Sequence, residues 1–170
     1  LGVFKELLSG TTKPSSVSEI VFDEPSSGVV RYLSDTLNIS DRLPEYCFAL
    51  KGSAAVVEYV SKNPKALGLI DVCWISDGDD STANTFLSAI NVLAVSADSG
   101  YYKPYQAYLA QHKYPLARDL VMISREARAG LASGFMAFVA SDKGQRIVLK
   151  SGLVPATMPI RIIEVNHEPF

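Results

Sequence analysis

The segment best equipped for chemistry is Glu19-Ile-Val-Phe-Asp-Glu-Pro-Ser-Ser-Gly28, an apolar β-type run passing through a short polar loop into a helical pattern. A helix start presents N–H groups that have no intrahelical acceptor, together with about half a positive charge. Ser26 and Ser27 add hydroxyl donors there, and Gly28 lets a ligand come close to the backbone. Together these make a cradle for an anion, a natural use of a strand-to-helix turn. The same serines have a second use, capping the helix, which nearly every helix requires. From this segment alone, capping is the commoner reading.

Other groupings offer less. Asp77, Asp79 and Asp80 gather acid in one loop, but a calcium loop of the EF-hand type needs glycine at its sixth position and glutamate at its twelfth. Thr82 and Ser88 stand there, so the run reads as a solvated turn. The histidines, His112 and His167, are far apart and lack a partner at metal-ligand spacing. GxSxG, Walker A and HExxH motifs are all missing, so no nucleophile–base pair can be named and no enzyme is expected. No cofactor is implied. Gly130-Leu-Ala-Ser133-Gly134 places its serine one position late for a nucleophile elbow and reads as small residues that let a helix pack closely. Tyr101, Tyr102, Tyr105 and Tyr108 read as packing residues rather than a base-stacking surface. Cys47 and Cys73 sit among apolar neighbours and are expected to be inert core thiols.

The elements that must hold the turn in place alternate between β and α type. Leu1 to Gly10 reads as a short amphipathic helix, without the basic region, apolar core and cleavage site of a signal peptide. Because Leu1 is not a methionine, the sequence reads as a piece of a longer chain. After the turn at Ser26–Gly28, Val29, Val30, Leu33 and Leu37 recur at helical spacing. Ser53 is placed to cap a second helix through Val56, Val57 and Val60, which Asn63-Pro64 stops. Ala66 to Trp74 reads as a strand buried on both faces, and Ile90 to Ser96 and Leu120 to Ile123 as further strands. Ala129–Ala140 and Asp142–Lys150 form two helices, and Met158 to Val165 a closing strand. The fold class this predicts is α/β, a sheet with helices on its faces.

Composition narrows the function. The chain has 170 residues, 48% of them hydrophobic, which supports a real core and excludes disorder. Sixteen Lys and Arg against 18 Asp and Glu, a formal charge of −2, argue against a general nucleic-acid binder. A local anion site is compatible with that balance, because single arginines and backbone dipoles do not show in a net charge.

Three runs also resemble a family: Tyr114-Pro-Leu-Ala-Arg118-Asp-Leu-Val-Met, Gly134-Phe-Met-Ala-Phe138-Val, and Gly144-Gln145 through Gly152-Leu-Val-Pro155. They are similar to the C-terminal part of the PstS-like phosphate-binding proteins of bacterial ABC transporters. Val60-Ser-Lys-Asn-Pro-Lys-Ala-Leu-Gly68 and Phe4-Lys-Glu-Leu-Leu-Ser-Gly10 extend the resemblance upstream. It implies a periplasmic-binding-protein-like lobe, a mixed sheet flanked by helices, that holds phosphate or a similar tetrahedral oxyanion in a cleft and presents it to a membrane permease. Residues 1–115 would be the second lobe, and residues 116–170 a hinge strand with helices returning toward a first lobe outside this chain.

Aligned on the Ser-Gly pair, the resemblance makes Ser27, Gly28 and Val29 ligand-binding, with Ser26 and Arg31 in support. Val29 stands where the family has threonine, so only its N–H serves, and Asp23 stands where the family has arginine. Arg31 then either supplies the missing cation or pairs with Asp23. The resemblance further implies a periplasmic or exported, lipid-anchored location for the parent. Homodimerisation of the isolated lobe follows if apolar cleft surface is left bare. The alternative is an interaction or adhesion module that keeps the fold with an altered anion site.

Overall fold

The computed structural model describes residues 2–11, 16–39, 43–97 and 100–157. In chain order the elements are α1 (Gly2–Ser9), β1 (Glu19–Phe22), α2 (Gly28–Leu37), β2 (Cys47–Ala49), α3 (Ser53–Lys62) and β3 (Ala66–Leu69). They are followed by α4 (Ser81–Ala89), β4 (Val95–Ala97), β5 (Gly100–Tyr102), α5 (Gln106–Ala110), α6 (Leu131–Ala140) and α7 (Asp142–Lys150). The architecture is α/β, with a parallel sheet flanked by helices.

β1 is the central strand of a three-stranded sheet ordered β2-β1-β3, parallel throughout. Its alternation divides the core between two faces. Ile20 and Phe22 point to one face and pack with Leu7 and Leu8 of α1 and Leu33 and Leu37 of α2. Val21 points to the other, where α3 lies. Gly68 of β3 is what lets α3 come down onto that face: a Cβ there would stand 2.8 Å from both Val56 Cγ1 and Val60 Cγ2. Phe22, Leu8, Ile20, Val21 and Val56 are all fully buried, each burial contributing on the order of 1.5–3 kcal/mol.

This topology has a geometric consequence. The chain leaves β1 for β2 on one side, then leaves β2 for β3 on the other, so α2 and α3 cover opposite faces. The loops leaving the carboxyl ends of β1 and β2 therefore part, and a crevice opens between them. The two loops are stitched at its base, where Leu50 N donates to the Phe22 carbonyl and Gly52 N to the Asp23 carbonyl, each at 2.8 Å.

Downstream, several sequence-based expectations are corrected. The strand read over Ala66–Trp74 stops at Leu69, and Val72–Trp74 is a single 3-10 turn. The strand read over Ile90–Ser96 is reduced to Val95–Ala97, which pairs antiparallel with Gly100–Tyr102 as a separate ribbon. Leu120–Ile123 is not a strand: it has no ladder partner among the described residues, and Leu120 and Ile123 are 84% and 87% exposed. β-type residues make a strand only where another strand accepts their hydrogen bonds. The closing strand read over Met158–Val165 lies outside the described residues.

Other expectations change in detail. Gly52, with φ of 91°, is the residue that caps α3, and Ser53 is the first helical residue. Gly134 has nothing within 4 Å of where a Cβ would sit, so it does not serve close packing. The small residue that does is Gly144 in α7, whose Cβ would fall 2.3 Å from the Phe138 carbonyl oxygen and 2.6 Å from Val139 Cα. Buried Gln145 completes that corner, donating to the Val139 carbonyl at 2.8 Å and accepting from Ala156 N at 2.7 Å. Tyr108 packs edge-on against Tyr102 and stacks with Tyr105, whereas Tyr101, 78% exposed, corrects the expectation of a packing residue.

Candidate functional site

The loop between β1 and α2 places the sequence-predicted residues at the mouth of the crevice. Pro25 and Ser26 turn the chain, and Ser27, in extended conformation (φ −63°, ψ 150°), is the N-cap of α2. Its Oγ accepts from Val30 N at 3.3 Å, and its carbonyl accepts from Arg31 N at 3.2 Å. Those bonds satisfy the third and fourth amides of the helix. Among the described residues, the Gly28 and Val29 N–H groups have no acceptor. Two backbone donors thus stand open at the positive end of a ten-residue helix.

The capping reading of Ser27 is met in the structure. Its lone pair serves the cap, while its hydroxyl donates no hydrogen bond among the described residues. Ser26 is exposed beside it, and Val29 turns its side chain inward against the core, leaving its amide as the outward group. Arg31 lies exposed one turn further on and forms no ion pair among the described residues. It does not pair with Asp23, whose Oδ1 instead accepts from Glu24 N at 3.0 Å. That short local bond turns the Asp23 carboxylate toward its own loop.

A cation does stand at this helix start, and it comes from elsewhere in the chain. A Cβ built on Gly28 would lie 2.5 Å from Arg118 Nη1, 3.3 Å from its Cζ and 3.4 Å from its Nη2. The guanidinium is therefore laid against the Gly28 backbone, where only glycine leaves room. Arg118 Nη2 donates to Asp71 Oδ1 at 2.7 Å, and Asp71 follows the end of β3. The segment carrying Arg118 is anchored to α2 by Tyr32 Oη, which donates to the Ala117 carbonyl at 2.7 Å. Beside it, burial pushes the Tyr114 hydroxyl above its ordinary pKa, which keeps it neutral. Sequence reading quoted Arg118 within a motif and gave it no role. Its charge is visible in the sequence, but its neighbours Gly28 and Asp71 are supplied by the fold.

Along the α2 face of the crevice runs a cavity of about 270 Å³, whose lining includes Phe22, Glu24, Pro25, Val30, Phe48 and Ala49. The cysteines form no disulfide: Cys47 is half-buried on β2, and Cys73, exposed in the 3-10 turn, corrects the expectation of a core thiol. Although the residue is exposed, partial desolvation of its sulfur, then the nearby Asp71 carboxylate, raise the Cys73 thiol pKa. No group of three or more metal-ligating side chains is gathered among the described residues. The acidic loop is occupied with local work: Asp77 accepts from Asp79 N, Asp80 caps α4 through Thr82 N, and Asp79 pairs with Lys150 at 3.2 Å.

Comparison with known proteins agrees with this fold. The family model described as a PBP superfamily domain matches residues 3–143. Among solved structures, the chain is similar in fold to PstS from Borrelia burgdorferi, with a TM-score of 0.59 at 20% identity. The match covers 90% of this chain and 61% of that one, so the present sequence spans about three-fifths of its relative's length. No curated protein matches the sequence.

Proposed function

The chain belongs to the PBP superfamily, and from that premise we propose that it is a non-catalytic solute-binding lobe whose α2 N-terminus seats inorganic phosphate or a similar tetrahedral oxyanion. Residues 1–115 form the lobe that holds the anion, and residues 116–170 the return segment. The bound anion is handed to the permease of an ABC transporter, which places the parent protein in the periplasm or exported at the cell envelope.

One observation carries this reading: the unpartnered amides of Gly28 and Val29 open at the carboxyl end of β1, beside the crevice where loops of a parallel sheet diverge. An oxyanion there receives two backbone N–H donors and the hydroxyl of Ser27, with Ser26 in reach at the rim. Arg31, a turn away and exposed, contributes long-range attraction at most. A tetrahedral anion suits donors that converge from several directions, and the likeness to PstS supports phosphate as the first anion to try.

The test is an amide-resolved NMR titration of the chain with inorganic phosphate, run in parallel with sulfate. The Gly28 and Val29 amides are expected to shift saturably, and Ser27→Ala to weaken the response. Ser27→Asn, which retains a capping acceptor, separates loss of the cap from loss of the hydroxyl donor. Silence at both amides in the wild-type chain refutes the reading. It would advance a second one, an interaction module, which rests on the exposed apolar side chains of Leu120, Val121, Ile123 and Phe135.

A further inference from the structure

Resting on the anion seat at the start of α2, we propose that Arg118 is the cation of that seat and determines its affinity, and that Asp71 positions it. The argument begins with a placement that folding energetics alone leave unexplained. A guanidinium laid against the first residue of a helix faces the positive end of the helix dipole, where cations are disfavoured. Its ion pair with Asp71 is about one-third exposed, with side-chain exposures of 32% and 42%, and pairs this open to water contribute little to stability. Gly28, the residue that admits the guanidinium, is a poor helix former. These three features coincide at one point; an anion bound to the amides and the guanidinium makes the first two favourable and gives the space left by glycine a use.

The geometry divides the guanidinium between two tasks. Nη2 is committed to Asp71 Oδ1, which fixes the plane of the group. Nη1 is the atom nearest Gly28, whose own amide, like that of Val29, has no acceptor among the described residues. A planar fork held by a carboxylate on one edge offers the other to an oxyanion, as a charge-assisted hydrogen bond of the stronger kind. Asp71 also lowers the net charge of the seat, so the free site does not hold an uncompensated cation against the helix end. Arg118 follows Ala117 in a segment tied to α2 through Tyr32, so its backbone is tethered to that helix.

Phosphate titrations of the wild-type chain, Arg118→Gln, Arg118→Lys and Arg31→Gln, followed at the Gly28 and Val29 amides, test this assignment. The expected result is a loss of about ten- to hundredfold in Arg118→Gln. Arg118→Lys should fall between, keeping the charge without the fork. The salt dependence of binding should be shallower in Arg118→Gln than in the wild type, a change that a purely structural role would not produce. Wild-type affinity retained in Arg118→Gln overturns the assignment and leaves the anion seat standing, whether or not Arg31→Gln then shows the loss. A wild-type chain that gives no response overturns both. Should Arg118→Gln fail to fold, Gly28→Ala repeats the test with the arginine present and displaced.

Discussion

Replacing Gly28 by alanine separates the contribution of this residue to folding from its contribution to binding. The new methyl group would stand 2.5 Å from Arg118 Nη1. Nonbonded heavy atoms rest at about 3.5 Å, so the guanidinium must withdraw by roughly 1 Å. That withdrawal is inexpensive for the fold, because the atom displaced is the end of a long side chain one-third exposed to solvent. Weakening the Arg118–Asp71 pair costs up to about 1 kcal/mol, and alanine in place of glycine in the first helical turn returns up to about 1 kcal/mol. The two nearly cancel, and the melting temperature should move by no more than about 4 °C in either direction. For an oxyanion the same withdrawal removes a charge-assisted hydrogen bond worth about 1.5–3 kcal/mol, which is about ten- to hundredfold in affinity. Thermal unfolding together with phosphate titration reads both quantities on one preparation. A variant as stable as the wild type with undiminished phosphate affinity would refute the reasoning. A variant destabilised by several kcal/mol would show that the close approach of Arg118 to Gly28 is a packing requirement of the fold.

Two further predictions concern the helices beyond the site. Gly144→Ala drives a methyl group into the Phe138 carbonyl and Val139 backbone, atoms that cannot swing aside, so urea denaturation should show a loss of at least about 1–3 kcal/mol. The Glu126 carboxylate accepts from the Ala132 and Ser133 amides at the start of α6, at 3.0 and 2.9 Å, and those bonds hold its pKa below the usual carboxylate value. A lowered folded-state pKa means stabilisation present in full above the unfolded value of about 4.3 and lost as pH falls through the folded pKa. Acidification below about pH 4 should therefore release the Ala132 and Ser133 amide resonances before the β1 core opens, and Glu126→Gln should abolish that pH response; a response that survives the substitution would assign it to another group.

What the sequence determined by itself was local. The alternation Ile20-Val21-Phe22 made a strand buried on both faces, and the spacing of Val29, Val30, Leu33 and Leu37 made the helix behind it. Ser27 announced the cap, and the open amides of Gly28 and Val29 follow from any capped helix start, since four N–H groups lack intrahelical partners by construction. The tertiary structure decided whatever depended on distant partners. Leu120–Ile123 has the residues of a strand but no ladder partner among the described residues, and Leu120 and Ile123 are exposed. Cys73 has apolar neighbours in sequence, but the chain turns at Val72–Trp74 and leaves the cysteine exposed. The cation followed the same rule. Arg31 was the arginine near the turn in sequence, whereas Arg118, 47 residues beyond Asp71, is the one brought against Gly28. Backbone amides and caps are set by the chain within a few residues, while a charged side chain belongs to whichever site the fold carries it to.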